Sequence, residues 1–145
     1  MRALLEIKRP TVSLETVKAV LDRTEDHCLG LVQDGKLRFA WNVAAPNSHR
    51  SLVRVMTASL IDFVRGTDTQ PNREEDALNY VLPSVFPSVR TSTLARALNV
   101  GSTHIHNLID CGAMKEVAAP DRRITWTRAV TLESARRFLK ERRMV

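Results

Sequence analysis

Leu94, Ala97 and Leu98 stand at i, i+3 and i+4, and so do Ile105, Leu108 and Ile109. That spacing gathers side chains on one face of a helix, so the pattern predicts two short amphipathic helices in LARALNV and STHIHNLIDCG. The NVGS stretch breaks the helical period between them. Ser102 is placed to cap the second helix by accepting a bond from an orphan N–H. Gly112 follows the last apolar position, where a left-handed residue ends a helix. Two short helices joined by a three- or four-residue turn describe a helix-turn-helix. MKEVAAPDRRITWTRAV then alternates and is interrupted by Pro120, which predicts a β-hairpin or wing. TLESARRFLKERR returns to helical spacing with Ala135, Phe138 and Leu139 inward. Basic residues crowd its last turn, where they suit the helix dipole.

The same phrases occur earlier in the chain. VAAPNSHR (43–50) is echoed by VAAPDRRI (117–124). At an offset of 77 residues, Pro10, Val12, Thr16, Leu21, His27 and Gly35 fall on Pro87, Val89, Thr93, Leu98, His104 and Gly112. Apolar character is kept from Val17, Cys28, Leu31, Val32 and Leu37 to Leu94, Ile105, Leu108, Ile109 and Met114. The offset then drops to 74 at VAAP and settles at 75, pairing Val55, Ser59 and Phe63 with Val130, Ser134 and Phe138. Self-similarity in one block order marks a module built twice. In the first copy, SLETVKAVL opens at Ser13 and TEDHCLGLVQDG runs from a Thr24 cap to Gly35. Residues 37–55 form its hairpin and TASLIDFVR its third helix. The expected fold is mostly α with small β-hairpin wings (α+β), as two tandem winged helix-turn-helix modules. The first spans 1–66, an acidic linker 67–82, and the second 83–145. DALNYVL has room for one helical turn or two before Pro83. The apolar start MRALLEI leaves open whether it pairs as a strand or packs on the other copy.

Composition narrows this picture. Of 145 residues, 43% are hydrophobic, enough to bury a core. Copies of about 55–60 residues are marginal alone and are expected to lean on one another. No apolar run approaches the roughly 18 residues of a membrane span, and MRALLEIKRP lacks a secretory core. The two cysteines lie far apart and fit no disulfide framework. Cys28 occupies an apolar position of the repeat and reads as a small buried hydrophobe in a reducing cytoplasm. The net charge is +6. Residues 1–66 hold ten basic and seven acidic residues, 67–88 one and four, and 89–145 eleven and five. The basic surplus therefore sits in the second copy, which is compatible with a polyanion or simply with solubility.

LNVGSTHIHNLIDCGAM (98–114) resembles the core of the MerR-like and excisionase-like winged-helix proteins. There the run reads approximately L-G-V-S-x-x-T-V-Y-x-L-I-x-x-G-x-L before a wing and a helix opening T-x-x-S. Leu98, Val100, Ile105, Leu108, Ile109, Gly112 and Met114 fit that pattern, and TLESARRFLKER is similar to the family's last helix. LDRTEDHCLGLVQDGKL (21–37) matches more loosely. The resemblance covers about 110 of the 145 residues and concerns folding pattern more than function. It implies double-stranded DNA binding, with the second helix in the major groove and the wing on a phosphate backbone or minor groove. His104 departs from the small residue or Thr common in the family, and His106 and Asn107 replace Tyr-Arg. In the first copy, Glu25 and Asp26 stand where phosphates or base edges would approach, and Leu29 and Gly30 replace the polar pair.

The second helix of copy two offers Ser102, Thr103, His106 and Asn107 off its buried face. Asn can read adenine in a bidentate way, and Ser, Thr and His can donate to phosphates or bases. An ordinary solvated face is the alternative. His104 recurs at His27, so it is either a DNA contact or a structural residue between helices. Arg122 and Arg123 at the wing tip and Arg128 on the return strand suit a narrow minor groove, or form a plain charged hairpin. His49, Arg50 and Arg54 are their counterparts in copy one. Trp41 and Trp126 are expected to pack against the helices. His104 and His106 point about 200° apart on a helix and do not share a metal easily. No cysteine pair has ligand spacing and no Gly-rich phosphate loop occurs, so no enzyme activity, metal or cofactor is expected. The expected roles are a transcriptional regulator or an excisionase-like architectural factor in DNA recombination. The first copy would offer a surface for a recombinase, RNA polymerase or another regulator. The alternative is an adaptor or antiactivator whose winged-helix modules no longer bind DNA.

Overall fold

The computed structural model describes residues 9–68, 73–83, 86–117 and 128–144. Short polar side chains set where its helices begin. Ser13 closes strand β1 (Thr11–Ser13), and its Oγ accepts the Thr16 N–H to open α1 (Leu14–Leu21). Thr24 does the same for His27 at the start of α2 (Glu25–Gln33). Gly35 follows α2 with φ of 76°, a left-handed conformation that a Cβ would strain. The chain returns through the hairpin strands β2 (Ala40–Asn42) and β3 (Val53–Met56) into α3 (Thr57–Arg65).

Helix α4 (Glu74–Val81) occupies the stretch expected as an acidic linker. Its first turn is acidic, but Ala77, Leu78 and Val81 are buried in the core, so this half of the segment is no solvated spacer. The second copy follows with β4 (Ser88–Arg90), α5 (Thr91–Leu98), α6 (Ser102–Asp110), β5 (Ala129–Thr131) and α7 (Leu132–Glu141), and β6 (Arg143–Met144) ends it. Gly101, not Ser102, takes the cap position of α6, with no side-chain bond. Ser102 already has helical backbone there, and the His104 N–H donates to the Gly101 carbonyl at 3.1 Å. Ile109 is only half-buried and packs at the edge of the core.

The repeat is visible in individual bonds. β1, α1 and α2 share their bounds with β4, α5 and α6 at the 77-residue offset. The N–H of Thr57 donates to Pro10 O at 2.9 Å, as that of Leu132 does to Pro87 O at 2.9 Å. Leu37 N–H reaches Leu31 O at 3.1 Å, and Met114 N–H reaches Leu108 O at 3.2 Å. Asp22 and Asn99 end α1 and α5 with φ of 52° and 54°. The architecture is thus mixed α/β, with seven helices and two small antiparallel sheets among the described residues.

The two copies do not hang apart. The four-stranded sheet runs β1-β3-β2-β6, so its last strand comes from the end of the second copy. Trp41 of β2 pairs with Arg143 of β6. Phe39, Trp41 and Val43 of the first hairpin share one core with Leu78 of α4 and with Leu94, Leu98, Ile105, Leu108 and Phe138 of the second copy. Phe39 and Trp41 stack with ring centroids 6.4 Å apart, and Trp41 Nε1 has no hydrogen-bond partner among the described residues. A separate cluster around Val17, Cys28, Val32 and Val55 fills the first copy. β4 and β5 form the second sheet, with Val89 opposite Val130. Among the described residues no helix is long and apolar enough to cross a membrane. Residues 1–7, the wing tip with Arg122 and Arg123, and Trp126 lie outside the described residues.

Candidate nucleic-acid interface

Helix α6 is held from below. Ile105 and Leu108 are fully buried, which fixes the rotation of the helix and leaves Ser102, Thr103 and Asn107 exposed on the other side. Those three residues can offer a hydroxyl, a hydroxyl and a carboxamide to a ligand. His106 is half-buried beside them.

His104 behaves differently. Its Nε2 lies 2.7 Å from the carbonyl oxygen of Val43, in the first hairpin. A carbonyl only accepts, so Nε2 carries the proton and donates. This bond joins the first turn of α6 to the base of the loop between β2 and β3. The loop is anchored firmly. Asn42 Oδ1 accepts the N–H groups of Ala44 and Leu52, and Arg142 donates to the carbonyls of Asn42 and Ala44, each at 2.9 Å. His49 and Arg50 are exposed on this loop, and Ser48 Oγ accepts the Arg50 N–H at 3.2 Å. The His104 bond therefore sets the first copy's loop beside the second copy's α6. His27, the equivalent residue, is exposed.

Arg54 faces the junction between the copies. Its Nε donates to the carbonyls of Leu98 and Asn99 at 3.0 and 3.1 Å, at the end of α5. Its Nη1 donates to Val53 O at 2.9 Å. Desolvation holds its pKa below the ordinary arginine value. Thr11 Oγ1 donates to Ala97 O at 2.6 Å, so two side chains of the first copy's sheet close the last carbonyls of a second-copy helix. Arg54 is thus engaged at the junction between the copies.

Arg128 is also engaged. Its Nε donates to Glu116 Oε1 at 2.9 Å, and its Nη2 donates to Asp110 Oδ1 at 3.0 Å and Glu116 Oε2 at 3.2 Å. The Arg128 bond keeps the Glu116 carboxyl below the usual range, and the two carboxylates raise the guanidinium further. Other cations of the second copy are paired as well. Arg136 and Lys140 meet Glu75 of α4 at 3.1 and 2.8 Å, and Arg143 meets Glu74 at 3.7 Å. Arg90, Arg96 and Arg137 are exposed and form no ion pair among the described residues.

The sequence pattern alone passed over Arg9 and Arg96, which line an open cleft of about 750 Å³ between the copies. They lie 87 positions apart in the chain, and no local motif contains either of them. Among the described residues no group of three or more His, Cys, Asp or Glu is arranged to hold a metal ion. No protein-family model, curated protein or solved structure matches the chain.

Proposed function

We propose that this chain binds double-stranded DNA as two tandem winged helix-turn-helix modules fused into one body. One observation carries the reading: the exposed Ser102–Thr103–Asn107 face of α6 stands on a buried apolar base, with the His49–Arg50 loop tied alongside through His104 and Val43. A rigid helix with small donors on one face suits the major groove, and a basic loop beside it suits the flanking backbone. Asn107 would make the base contact, and Thr103 and Ser102 would position the helix. Arg122 and Arg123 would extend the grip along the phosphates. The role is that of a transcriptional regulator or an excisionase-like factor that organises a recombinase on DNA, with the first copy open to a protein partner.

Fluorescence anisotropy on random duplex DNA across a salt series tests this. Binding should weaken linearly in log–log form, with a slope near −0.9 per neutralised phosphate. The Arg122→Ala/Arg123→Ala variant should be shallower by about two units. Asn107→Ala should weaken a selected site by about 1–3 kcal/mol and leave random-duplex affinity nearly unchanged. Absence of salt-sensitive binding would sink the reading.

A second reading is a protein adaptor that restrains a transcription activator. It draws on the pairing of Arg128, Arg136, Lys140 and Arg143 with carboxylates, and on the exposed Glu25 and Asp26 at the start of α2. A stable complex with a basic protein, in the absence of DNA binding, would favour it.

A further inference from the structure

The cleft between the two copies has a lining with a distinct chemistry. Arg9 and Thr16 come from the first copy, and Ser92, Arg96, Asn99 and Ser102 from the second. Among the described residues, no acidic side chain lines it. Arg9 is placed by three contacts. Its carbonyl accepts from Thr57 Oγ1 at 2.7 Å, the next carbonyl accepts from Thr57 N at 2.9 Å, and its Nη1 donates to Asn99 Oδ1. A guanidinium has five N–H donors, so this one bond orients Arg9 and leaves others for a ligand. Arg96 projects from the exposed side of α5 and forms no ion pair among the described residues.

From these facts we infer that the inter-copy cleft is a second phosphate site, which takes the sugar-phosphate backbone of the DNA strand flanking the one read by α6. The inference rests on the duplex-DNA reading and deepens it. Two guanidinium groups with no described carboxylate beside them suit two successive phosphodiesters of the backbone, each of which shares one charge over two oxygens that Arg binds in a forked, bidentate way. Thr16, Ser92 and Ser102 add hydroxyl donors around the same volume. The cleft is continuous with the reading face, because Ser102 lines the one and opens the helix that carries the other. It is also a product of the duplication. Neither copy alone supplies both arginines, so the site exists only when the junction is closed. A backbone contact here would fix the register of α6 along the groove without itself reading sequence.

The test compares four variants of the full chain with the wild type on one duplex carrying a selected site, across a salt series. Arg9→Ala/Arg96→Ala should bind with a slope shallower by about two units, close to −0.9 for each lost phosphate contact. Arg9→Lys/Arg96→Lys keeps the charge and should retain most of the slope while losing affinity, since a lysine cannot fork. Arg96→Ala alone guards against a folding defect, because its side chain is exposed on α5. It should cost about one unit of slope with an unchanged melting temperature. Thr103→Ala/Asn107→Ala probes the α6 face separately. An unchanged slope in the folded Arg9→Ala/Arg96→Ala chain, beside weakened binding by Thr103→Ala/Asn107→Ala, would overturn the cleft and leave the DNA reading intact. A loss confined to the arginine variants would uphold the cleft and overturn the role of α6. No salt-dependent binding by the wild type would overturn both.

Discussion

At the scale of single residues, the partners a cation has already found decide what it can still do. Arg54 and Arg128 read as similar candidates along the sequence, although the strand register puts Ala129, not Arg128, at the position of Arg54. Arg54 donates into the end of α5 and is partly desolvated there. Bonds to a charged donor contribute about 1.5–3 kcal/mol, so Arg54→Met should lower unfolding free energy by about that amount in urea titrations. The same variant should leave the salt slope of DNA binding unchanged. Arg128 is held by Glu116 and Asp110 at the surface, where such pairs add little to stability. Asp110→Asn/Glu116→Gln should therefore barely move the melting temperature. It should steepen the salt slope by about one unit if the released guanidinium reaches a phosphate. The sign with pH follows from Glu116. Its folded-state value is depressed, so its small contribution is present above its unfolded value and lost as pH falls through the folded one. Acidification thus removes the Glu116 half of the hold on Arg128.

At the scale of elements, periodicity carried the helices well and context carried the connections poorly. The i, i+3, i+4 spacing in α5 and α6 met a buried face, with Ile109 only half-buried at its edge, because few arrangements satisfy it in water. Gly112 ends α6 with φ of 83°, and Gly112→Ala should cost roughly 1–2 kcal/mol, read as a lowered midpoint in thermal or urea melts. Helix α4 is the instructive case. Its Glu74, Glu75 and Asp76 dominate a reading by composition, and the apolar Ala77, Leu78 and Val81 follow in only eight residues. The acidic turn satisfies the helix dipole and also pairs with α7, while the apolar end plugs the shared core. Leu78→Ala should destabilise the fold by about 2–5 kcal/mol, as a core cavity does, whereas a spacer would tolerate the change. The cap of α6 shows the opposite limit. Gly101 and Ser102 are adjacent, and only backbone conformation separates cap from first turn.

At the scale of the whole molecule, the two copies are joined asymmetrically. Thr11, Arg54 and Arg9 of the first copy engage the end of α5, but their counterparts by position are Ser88, Ala129 and Phe86. The second copy thus lacks the basic side chains needed to hold a further module in the same way. The shared core and the β2–β6 pairing predict one cooperative unfolding transition. Trp126→Phe leaves Trp41 as the sole tryptophan, so its fluorescence and far-UV circular dichroism should give coincident curves. Removing residues 142–145 deletes β6 and the two Arg142 bonds to the hairpin. The truncated chain should melt earlier, and the two probes should separate as the copies uncouple.

The sequence by itself determined the helices, the first hairpin and the doubling of one pattern, because local periodicity and turn chemistry act over a few residues. It also marked Ser102, Thr103 and Asn107 as the open side of α6, since burial of one helical face leaves the other to solvent. Only the tertiary structure decided which polar groups stay available. Val43 reaches His104 across 61 positions, the end of α5 meets Arg54 across 44 and 45, and Arg9 meets Asn99 across 90. A hydrogen bond depends on distance in space, and no pattern along the chain records which carbonyl or carboxylate will come within about 3 Å of a given donor.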